Sequence, residues 1–147
     1  ETVIVAGQGS GTHAFSVVKN GASWETKPLW TNAEMGTSFC TPVVKDGYVF
    51  ANDARLGKLY CINGKTGENC WVDETTLNRF ASILDLGEVL VSLPANGKLI
   101  VFEANGKAYH EVAEYQVADS EVYAHPLFAE NNIVVKDKEM LTSWKVK

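Results

Sequence analysis

The sequence has little of what a membrane span or a nucleic-acid surface would require. No apolar run approaches the roughly 20 residues that a membrane helix needs, so no membrane span is predicted. The net charge is −5, and acidic and basic residues alternate without a basic cluster, which argues against a nucleic-acid partner. With 147 residues, of which 46% are apolar, the chain is long enough for one domain with a substantial core.

Helix signals and an export signal are also scarce. The two helix-favouring stretches, 32–35 and 112–115, are short, and the second lies among β-branched and aromatic residues. Residues 1–5 lack the basic start and the long apolar region of a signal peptide, and they already have the pattern of a strand. We therefore expect the chain to begin inside folded structure, as a processed, truncated or excerpted piece.

Only three cysteines and three histidines are available for metal or redox chemistry. No C-x-x-C pattern occurs, and the histidines fall in different segments, so neither a zinc site nor a thioredoxin-type site is predicted. Cys61 and Cys70 flank one hairpin turn, where a disulfide requires converging Cβ vectors. The alternative is that all three cysteines, Cys40 included, are small buried apolar residues.

Short runs of β-branched, aromatic and leucine residues dominate the chain. They are bounded about every 8 to 12 residues by Gly, Asn or Asp, which is typical of a sandwich, a barrel or a propeller. Internal repeats decide among these folds, and residues 97–99 (Gly-Lys-Leu) repeat residues 57–59 after about 40 positions, the length of a propeller blade. The sequence therefore predicts an all-β fold, a β-propeller made of four-stranded antiparallel blades.

Four copies of this unit form a single predicted β-propeller segment over residues 1–147. Their approximate bounds are 2–37, 38–78, 79–121 and 122–147, with three, four, four and three strands. The first copy lacks its leading strand and the last copy its trailing strand, so the chain holds about three and a half blades. Because a ring normally closes to bury the apolar faces of its blades, we expect the remaining blades to come from a parent chain or from a second copy.

The second copy contains the most specific motif. Residues 59–71 read Leu-Tyr-Cys-Ile-Asn-Gly-Lys-Thr-Gly-Glu-Asn-Cys-Trp. This motif resembles the repeat of the PQQ-like (quinoprotein-like) β-propellers, which reads Leu-Tyr-Ala-Leu-Asp, two residues, Thr-Gly, three residues and Trp. The positions concerned are Thr66, Gly67 and Trp71, which match, and Cys61 and Asn63, which stand at the alanine and the aspartate.

The resemblance implies a structural docking role for this motif. The Lys-Thr-Gly turn lets Gly67 take a backbone conformation that most residues avoid, and the indole of Trp71 packs against the neighbouring blade. The equivalent aromatic residues of the other copies are Trp24 or Trp30 in the first, Tyr109 or His110 in the third, and Trp144 in the last.

The resemblance also implies the kind of function. The family includes a lipoprotein of the barrel-assembly machinery that works through protein contacts. We therefore expect a non-enzymatic binding or scaffolding module, with a protein or a small polar ligand as its partner. On the resemblance alone, we expect it to be periplasmic, secreted or in the bacterial cell envelope. Residues 117–120 and 124–126 are similar to the C-terminal blades of uncharacterised bacterial members.

The alternative is a fragment of a PQQ-dependent quinoprotein dehydrogenase. In such family members PQQ lies beside a calcium or lanthanide ion held by carboxylates, with an aspartate base and a disulfide between adjacent cysteines. This sequence contains no adjacent cysteines, and its nearest acidic pair, Asp73-Glu74, follows an outer strand as expected of a solvated turn. We therefore predict no catalytic residue, no metal ligand and no cofactor.

A functional surface is best placed where the inner strands begin, around the central channel of the propeller. Three successive copies contribute aromatic, arginine and histidine side chains there, which suit a peptide, a sugar or an anionic ligand. The alternative is that the aromatic residues only fill blade interfaces near the axis. The candidate rim residues are Ser38, Phe39, Cys40, Thr41, Arg79, Phe80, Tyr123 and His125.

Overall fold

A computed structural model of the chain describes residues 1–146, which form strands, turns and loops. Among these residues, no helix is long and apolar enough to cross a membrane. The strands are β1 (Thr2–Gly7), β2 (Gly11–Asn20), β3 (Ser23–Asn32), β4 (Val43–Lys45), β5 (Tyr48–Asn52), β6 (Leu59–Asn63), β7 (Asn69–Val72), β8 (Ala81–Asp85), β9 (Val89–Pro94), β10 (Lys98–Glu103), β11 (Glu111–Gln116), β12 (Leu127–Ala129), β13 (Asn132–Lys136) and β14 (Leu141–Lys145).

The strands form four antiparallel sheets in which each strand pairs with its neighbours along the chain. Sheet 1 contains β1–β3, sheet 2 contains β4–β7, sheet 3 contains β8–β11 and sheet 4 contains β12–β14. The predicted all-β class, with three, four, four and three strands, is confirmed. β4 begins at Val43, directly after Pro42, which has no N–H to donate to the ladder.

The turn between β6 and β7 shows why the repeat needs its polar residue and its glycine. The Asn63 side-chain oxygen accepts hydrogen bonds from the backbone N–H groups of Lys65 and Thr66, at 2.9 and 3.1 Å. Gly67 has a φ of +78°, in the left-handed region, and its N–H donates to the Asn63 carbonyl at 2.8 Å. An amide oxygen accepts the same two bonds as a carboxylate, so Asn63 replaces the aspartate of the repeat without changing the turn.

The core lies between the sheets. Successive side chains of β6 alternate, so that Leu59 and Cys61 pack toward sheet 3, whereas Tyr60 and Ile62 pack toward sheet 1. All four are fully buried, so sheet 2 is covered on both faces. A third cluster, which includes Ile133 of β13, joins sheets 3 and 4. The three clusters therefore stack the sheets in chain order.

The last strand of each of the first three sheets contains a bulge at the same point. One residue there has no partner in the register, and the next residue pairs with the preceding strand. The unpaired residue and its successor are Leu29 and Trp30 in β3, Cys70 and Trp71 in β7, and Val112 and Ala113 in β11.

The register corrects one expectation for the third copy. Ala113, rather than Tyr109 or His110, stands where β3 and β7 have a tryptophan. The earlier assignment is wrong because the connection between β10 and β11 is longer than the Lys-Thr-Gly turn, which moves the bulge further along the chain. Sheet 3 therefore has no indole at this position.

The tryptophans of β3 and β7 each fasten their sheet to the next one. The Trp30 indole lies against Gly67, where a Cβ atom would approach ring atom Cε3 to 2.6 Å. The Trp30 Nε1 donates to the Gly64 carbonyl at 3.0 Å. The Trp71 Nε1 donates to the Asn105 carbonyl at 2.6 Å, in the equivalent turn of sheet 3. Gly67 thus receives the indole of sheet 1, and Trp71 docks on sheet 3.

Sheet 4 is fastened in the opposite direction. Trp144 of β14 donates from Nε1 to the Val117 carbonyl at 3.1 Å, so it contacts the preceding sheet. Trp24 lies on the surface instead. Its side chain is 67% exposed, and the Lys19 ammonium lies 5.8 Å from its ring centroid. Of the two candidates in the first copy, Trp30 is therefore the docking residue.

Candidate functional site

Three aromatic side chains form a continuous row across sheets 2, 3 and 4. The ring centroids of Phe39 and Phe80 are 5.6 Å apart, and those of Phe80 and Tyr123 are 5.9 Å apart. The ring planes are inclined by 44° and 71°, arrangements that aromatic pairs favour. Each ring precedes the first strand of its sheet, which is β4, β8 or β12. The structure therefore brings three of the predicted rim residues together.

The row is open to solvent at both ends. Phe39 is 93% exposed and Tyr123 is 61% exposed, whereas Phe80 in the middle is partly buried. Burial of apolar surface therefore cannot explain the aromatic side chain of Phe39. Phe39 also has a φ of +55°, in a left-handed region that costs a residue with a Cβ about 1–2 kcal/mol. The exposed ring of Phe39 therefore does not compensate for its backbone strain within this chain.

Backbone hydrogen bonds hold the row in place. The Phe80 N–H donates to the Asn78 side-chain oxygen at 3.0 Å, and the Phe80 carbonyl accepts from the Ala95 N–H at 2.9 Å. The Ala95 carbonyl accepts from the Val122 N–H at 3.0 Å, which ties the segment before Tyr123 to sheet 3. Because these segments are already ordered, binding along the row loses little conformational entropy.

One cationic residue directly precedes the middle residue of the row. Arg79 directly precedes Phe80 and is exposed, and no carboxylate of residues 1–146 lies within ion-pairing distance of it. His125 is also exposed, and its Nδ1 lies 3.0 Å from the Pro126 carbonyl oxygen. The Arg79 guanidinium is therefore available to pair with a carboxylate of a ligand.

The remaining predicted rim residues contribute less to the open surface. Thr41 is exposed and Ser38 is partly buried. The Thr37 hydroxyl donates to the Cys40 carbonyl at 3.0 Å, which fixes the turn that holds Phe39. Cys40 packs against the core between sheets 2 and 3, and burial raises the pKa of its thiol. Its side chain therefore supports the sheet junction.

The docking motif lies in the turn between β6 and β7 and on β7, apart from the row. Within this motif, the Thr66 hydroxyl donates to the Glu68 carboxylate at 3.1 Å and accepts from the Glu68 N–H at 3.3 Å. Thr66 thus shapes its own turn, whereas Gly67 and Trp71 contact other sheets. All three residues have structural contacts in this chain.

The sequence pattern did not single out Asn32, which provides a second anchor on the same turn. Its side-chain amide donates to the Gly67 carbonyl at 2.8 Å. The sequence does contain a signal for this residue. Asn32 stands two residues after Trp30, and Asp73 stands at the same position after Trp71. A pairwise comparison of the copies beyond the tryptophan would have found it.

The described residues do not fit a quinone cofactor with its metal ion. Such a metal requires carboxylate ligands, and within residues 1–146 no group of three or more His, Cys, Asp or Glu side chains could hold a metal ion. The predicted rim also contains Arg79 and no carboxylate, which is the wrong charge for binding a cation. We therefore derive no catalytic step for this site.

Four antiparallel sheets stacked through three cores, with indoles docked from one sheet onto the next, define a segment of a β-propeller. The chain is similar in structure to BamB from Moraxella catarrhalis, with a TM-score of 0.67 and 13% identity, over 97% of this chain and 47% of that one. It is also similar to the computationally designed Ika8 protein, with a TM-score of 0.53 and 12% identity, over 99% and 55% of the two chains. These likenesses confirm the β-propeller fold.

The chain spans about half the length of these two solved structures, 47% of one and 55% of the other. No protein-family model matches the chain, and no curated protein matches its sequence. Membership of the PQQ-like family, and a single propeller segment over residues 1–147, therefore remain predictions.

Proposed function

We propose that this chain is a non-enzymatic β-propeller module that binds a peptide segment of a partner protein along the row of Phe39, Phe80 and Tyr123. The observation that carries the proposal is Phe39, whose ring is 93% exposed while its backbone has a φ of +55°. Aromatic residues and arginines dominate the binding energy of protein interfaces. In the free chain the exposed ring gains no burial energy to balance the backbone strain. Burial of the Phe39 ring beneath a partner would supply that energy.

The spacing of the rings favours an extended peptide over a compact sugar. Side chains on one face of an extended strand recur about every 6.6 Å. The centroid separations along the row, 5.6 and 5.9 Å, are close to this repeat. Alternate apolar side chains of the peptide would therefore meet successive rings, and each aromatic contact adds roughly 0.5–1.5 kcal/mol beyond its buried area.

Arg79 gives the proposed peptide a preferred charge. Arg79 directly precedes Phe80, the residue of the middle ring, and its guanidinium has no carboxylate partner among residues 1–146. A glutamate or an aspartate of the peptide would pair with it by charge-assisted hydrogen bonds. The proposed segment therefore has apolar residues at alternate positions, followed on the same face by an acidic residue.

The cellular setting of the proposal is supported by two likenesses. Residues 59–71 resemble the PQQ-like repeat, and the fold is similar to that of BamB from Moraxella catarrhalis. We therefore propose that the module acts in the bacterial envelope, and that a parent chain or a second copy supplies the other blades. Binding requires no cofactor in this proposal.

A defined peptide tests the binding row. The probe is a fluorescein-labelled Ser-Phe-Ser-Phe-Ser-Glu peptide, in which both phenylalanines and the glutamate lie on one face, and its counterpart has glutamine in place of glutamate. Fluorescence anisotropy with the whole chain measures both affinities. We expect Phe39→Ala to weaken binding about tenfold, the equivalent of about 1.4 kcal/mol. Arg79→Gln should abolish the preference for the glutamate peptide.

Trp24→Ala is the matched control, because it removes an exposed aromatic side chain away from the row. Equal losses in the Trp24 and Phe39 variants, or no loss in the latter, would refute the binding row. PQQ and Ca²⁺ should leave the peptide affinity unchanged. Reduction of a redox dye in their presence would favour the dehydrogenase alternative instead.

A further inference from the structure

Two cysteine side chains meet on the face of sheet 2 that contacts sheet 3. Cys61 of β6 pairs in register with Trp71 of β7, and Cys70 is the extra residue of the bulge beside that pair. In a bulge, two adjacent residues of one strand oppose a single residue of the other. Cys61, Cys70 and Trp71 accordingly all pack into the core between sheets 2 and 3. The bulge therefore turns both sulfur atoms to the same side of the sheet.

The cysteine pair is specific to this sheet. The corresponding residues are Ala14 and Leu29 in sheet 1, and Val101 and Val112 in sheet 3. These pairs are apolar, so packing at this position does not require sulfur. Opposed residues of antiparallel strands have Cα atoms about 4.5–5.5 Å apart. Cys70 adjoins Trp71, the register partner of Cys61, and its thiol interacts directly with that of Cys61, so the pair is close enough for a disulfide, whose Cα atoms lie roughly 4.4–6.8 Å apart.

The two thiols differ in their access to solvent. Cys61 is fully buried, whereas Cys70 is partly exposed. Burial raises the pKa of the Cys61 thiol, and the neighbouring Cys70 raises it further. A soluble reagent therefore reaches Cys70 first, and Cys61 can react only with a group already attached to Cys70.

We propose that Cys61 and Cys70 form a redox-active pair that closes to a disulfide by exchange with a small disulfide such as oxidised glutathione. The Cys70 thiolate attacks the glutathione disulfide, whose S–S bond breaks as a bond from Cys70 to one glutathione forms. The Cys61 sulfur then attacks Cys70 Sγ and displaces that glutathione. Each departing glutathione takes up one of the two protons released by the protein thiols. Two protein thiols are oxidised, and one glutathione disulfide is reduced to two thiols.

The disulfide fastens the hairpin that presents Trp71 to sheet 3. Trp71 follows Cys70 directly, and its Nε1 donates to the Asn105 carbonyl at 2.6 Å. A bond across the bulge holds this backbone in place and also restricts the unfolded chain by closing the loop around the β6–β7 turn. Oxidation therefore strengthens the junction between sheets 2 and 3, and reduction loosens it.

The Cys40→Ser chain, which retains only the pair, tests the proposal. Incubated in the folded state with oxidised glutathione, it should lose both free thiols and the mass of two hydrogen atoms, without retaining glutathione. Its thermal unfolding midpoint should rise, and dithiothreitol should reverse the rise. The unmutated chain should behave in the same way and keep one free thiol.

Cys61→Val is the matched control, because sheet 3 has valine at this position. This variant should retain one glutathione on Cys70 and should not become more stable. Peptide mapping of the oxidised, unmutated chain identifies the linked residues. Two persistent free thiols in the folded Cys40→Ser chain, a lasting mixed disulfide there, or a bond to Cys40 in the unmutated chain would overturn the proposal.

Discussion

Aromatic side chains have opposite effects in two regions of this molecule. Trp30 and Trp71 are partly buried against the turns of the next sheet, and both donate a hydrogen bond to a carbonyl there. Phe39 is 93% exposed and has a left-handed backbone. The indoles stabilise the fold by burial, whereas Phe39 presents a surface at the expense of stability. The same repeat therefore marks structure on the last strands and a proposed binding surface before the first strands.

The three junctions between neighbouring sheets also differ in the contacts that hold them together. The first two junctions each contain an indole directed from one sheet to the next, but Ala113 takes this position in sheet 3. The third junction relies on its apolar cluster and on Trp144, which donates back to Val117. Repeats of one unit can therefore share a fold while their junctions are stabilised by different contacts.

Trp71→Ala should cause the largest loss of stability. It removes an indole whose centroid lies 6.0 Å from the ring of Phe50 and 5.4 Å from that of Tyr109. It also removes the hydrogen bond to Asn105. We expect the free energy of unfolding to fall by about 3 kcal/mol, measured by urea denaturation.

Trp24→Ala is the control for this change, because the Trp24 ring is 67% exposed. Its effect should stay within about 0.5 kcal/mol, as for most surface substitutions. Similar losses in the two variants would contradict the distinction between docked and exposed aromatic residues.

Gly67→Ala should lower the free energy of unfolding by about 2 kcal/mol. The backbone of the alanine would have to keep a φ of +78°, and its Cβ atom would lie 2.6 Å from Trp30 Cε3. In a Trp30→Ala background, only the backbone strain remains, so the same substitution should cost about 1 kcal/mol. A double-mutant cycle in urea measures this coupling. If the two changes were additive, Trp30 would not rest on Gly67.

Phe39→Gly should change stability in the opposite direction. Glycine tolerates the φ of +55°, and little buried area is lost, so the free energy of unfolding should rise by about 0.5–1 kcal/mol. Peptide binding should fall at the same time. Phe39→Ala is the matched variant: it removes the ring but keeps the strained backbone, so it should weaken binding without stabilising the chain. A loss of stability in Phe39→Gly would place Phe39 among the structural aromatic residues.

Local chemistry explains which parts of the fold were predictable. The turn at Gly67 was predictable because its residues are adjacent in sequence and act on one another. The position of Ala113 was not, because a longer connection before β11 shifts the register in a way that only strand pairing reveals. Repeat spacing also located Phe39, but its φ of +55° is not what the residue type predicts, because residues with a Cβ rarely adopt the left-handed region.

The smallest effect is expected at an exposed ion pair that also joins sheets 2 and 3. Lys45 Nζ lies 2.6 Å from Asp85 Oδ1, and it also donates to the Gly87 carbonyl. The Lys45 hydrogen bond, followed by that of the Gly87 N–H, lowers the pKa of Asp85. Because the Asp85 side chain is 42% exposed, solvent screens the pair, which should contribute less than about 1 kcal/mol.

The lowered pKa of Asp85 determines the sign of the pH dependence. The contribution of the ion pair is fully present above the unfolded pKa of about 3.9, and it is lost as the pH falls through the lower folded value. Lys45→Met should therefore reduce the free energy of unfolding near neutral pH, and the difference from the unmutated chain should shrink in acid to the part that the hydrogen bond to the Gly87 carbonyl contributes. Urea denaturation across this pH range measures the difference, and NMR titration should show the pKa of Asp85 rising in the variant. A difference that did not shrink on acidification would mean that Lys45 acts through its hydrogen bond to the Gly87 carbonyl rather than through its ion pair with Asp85.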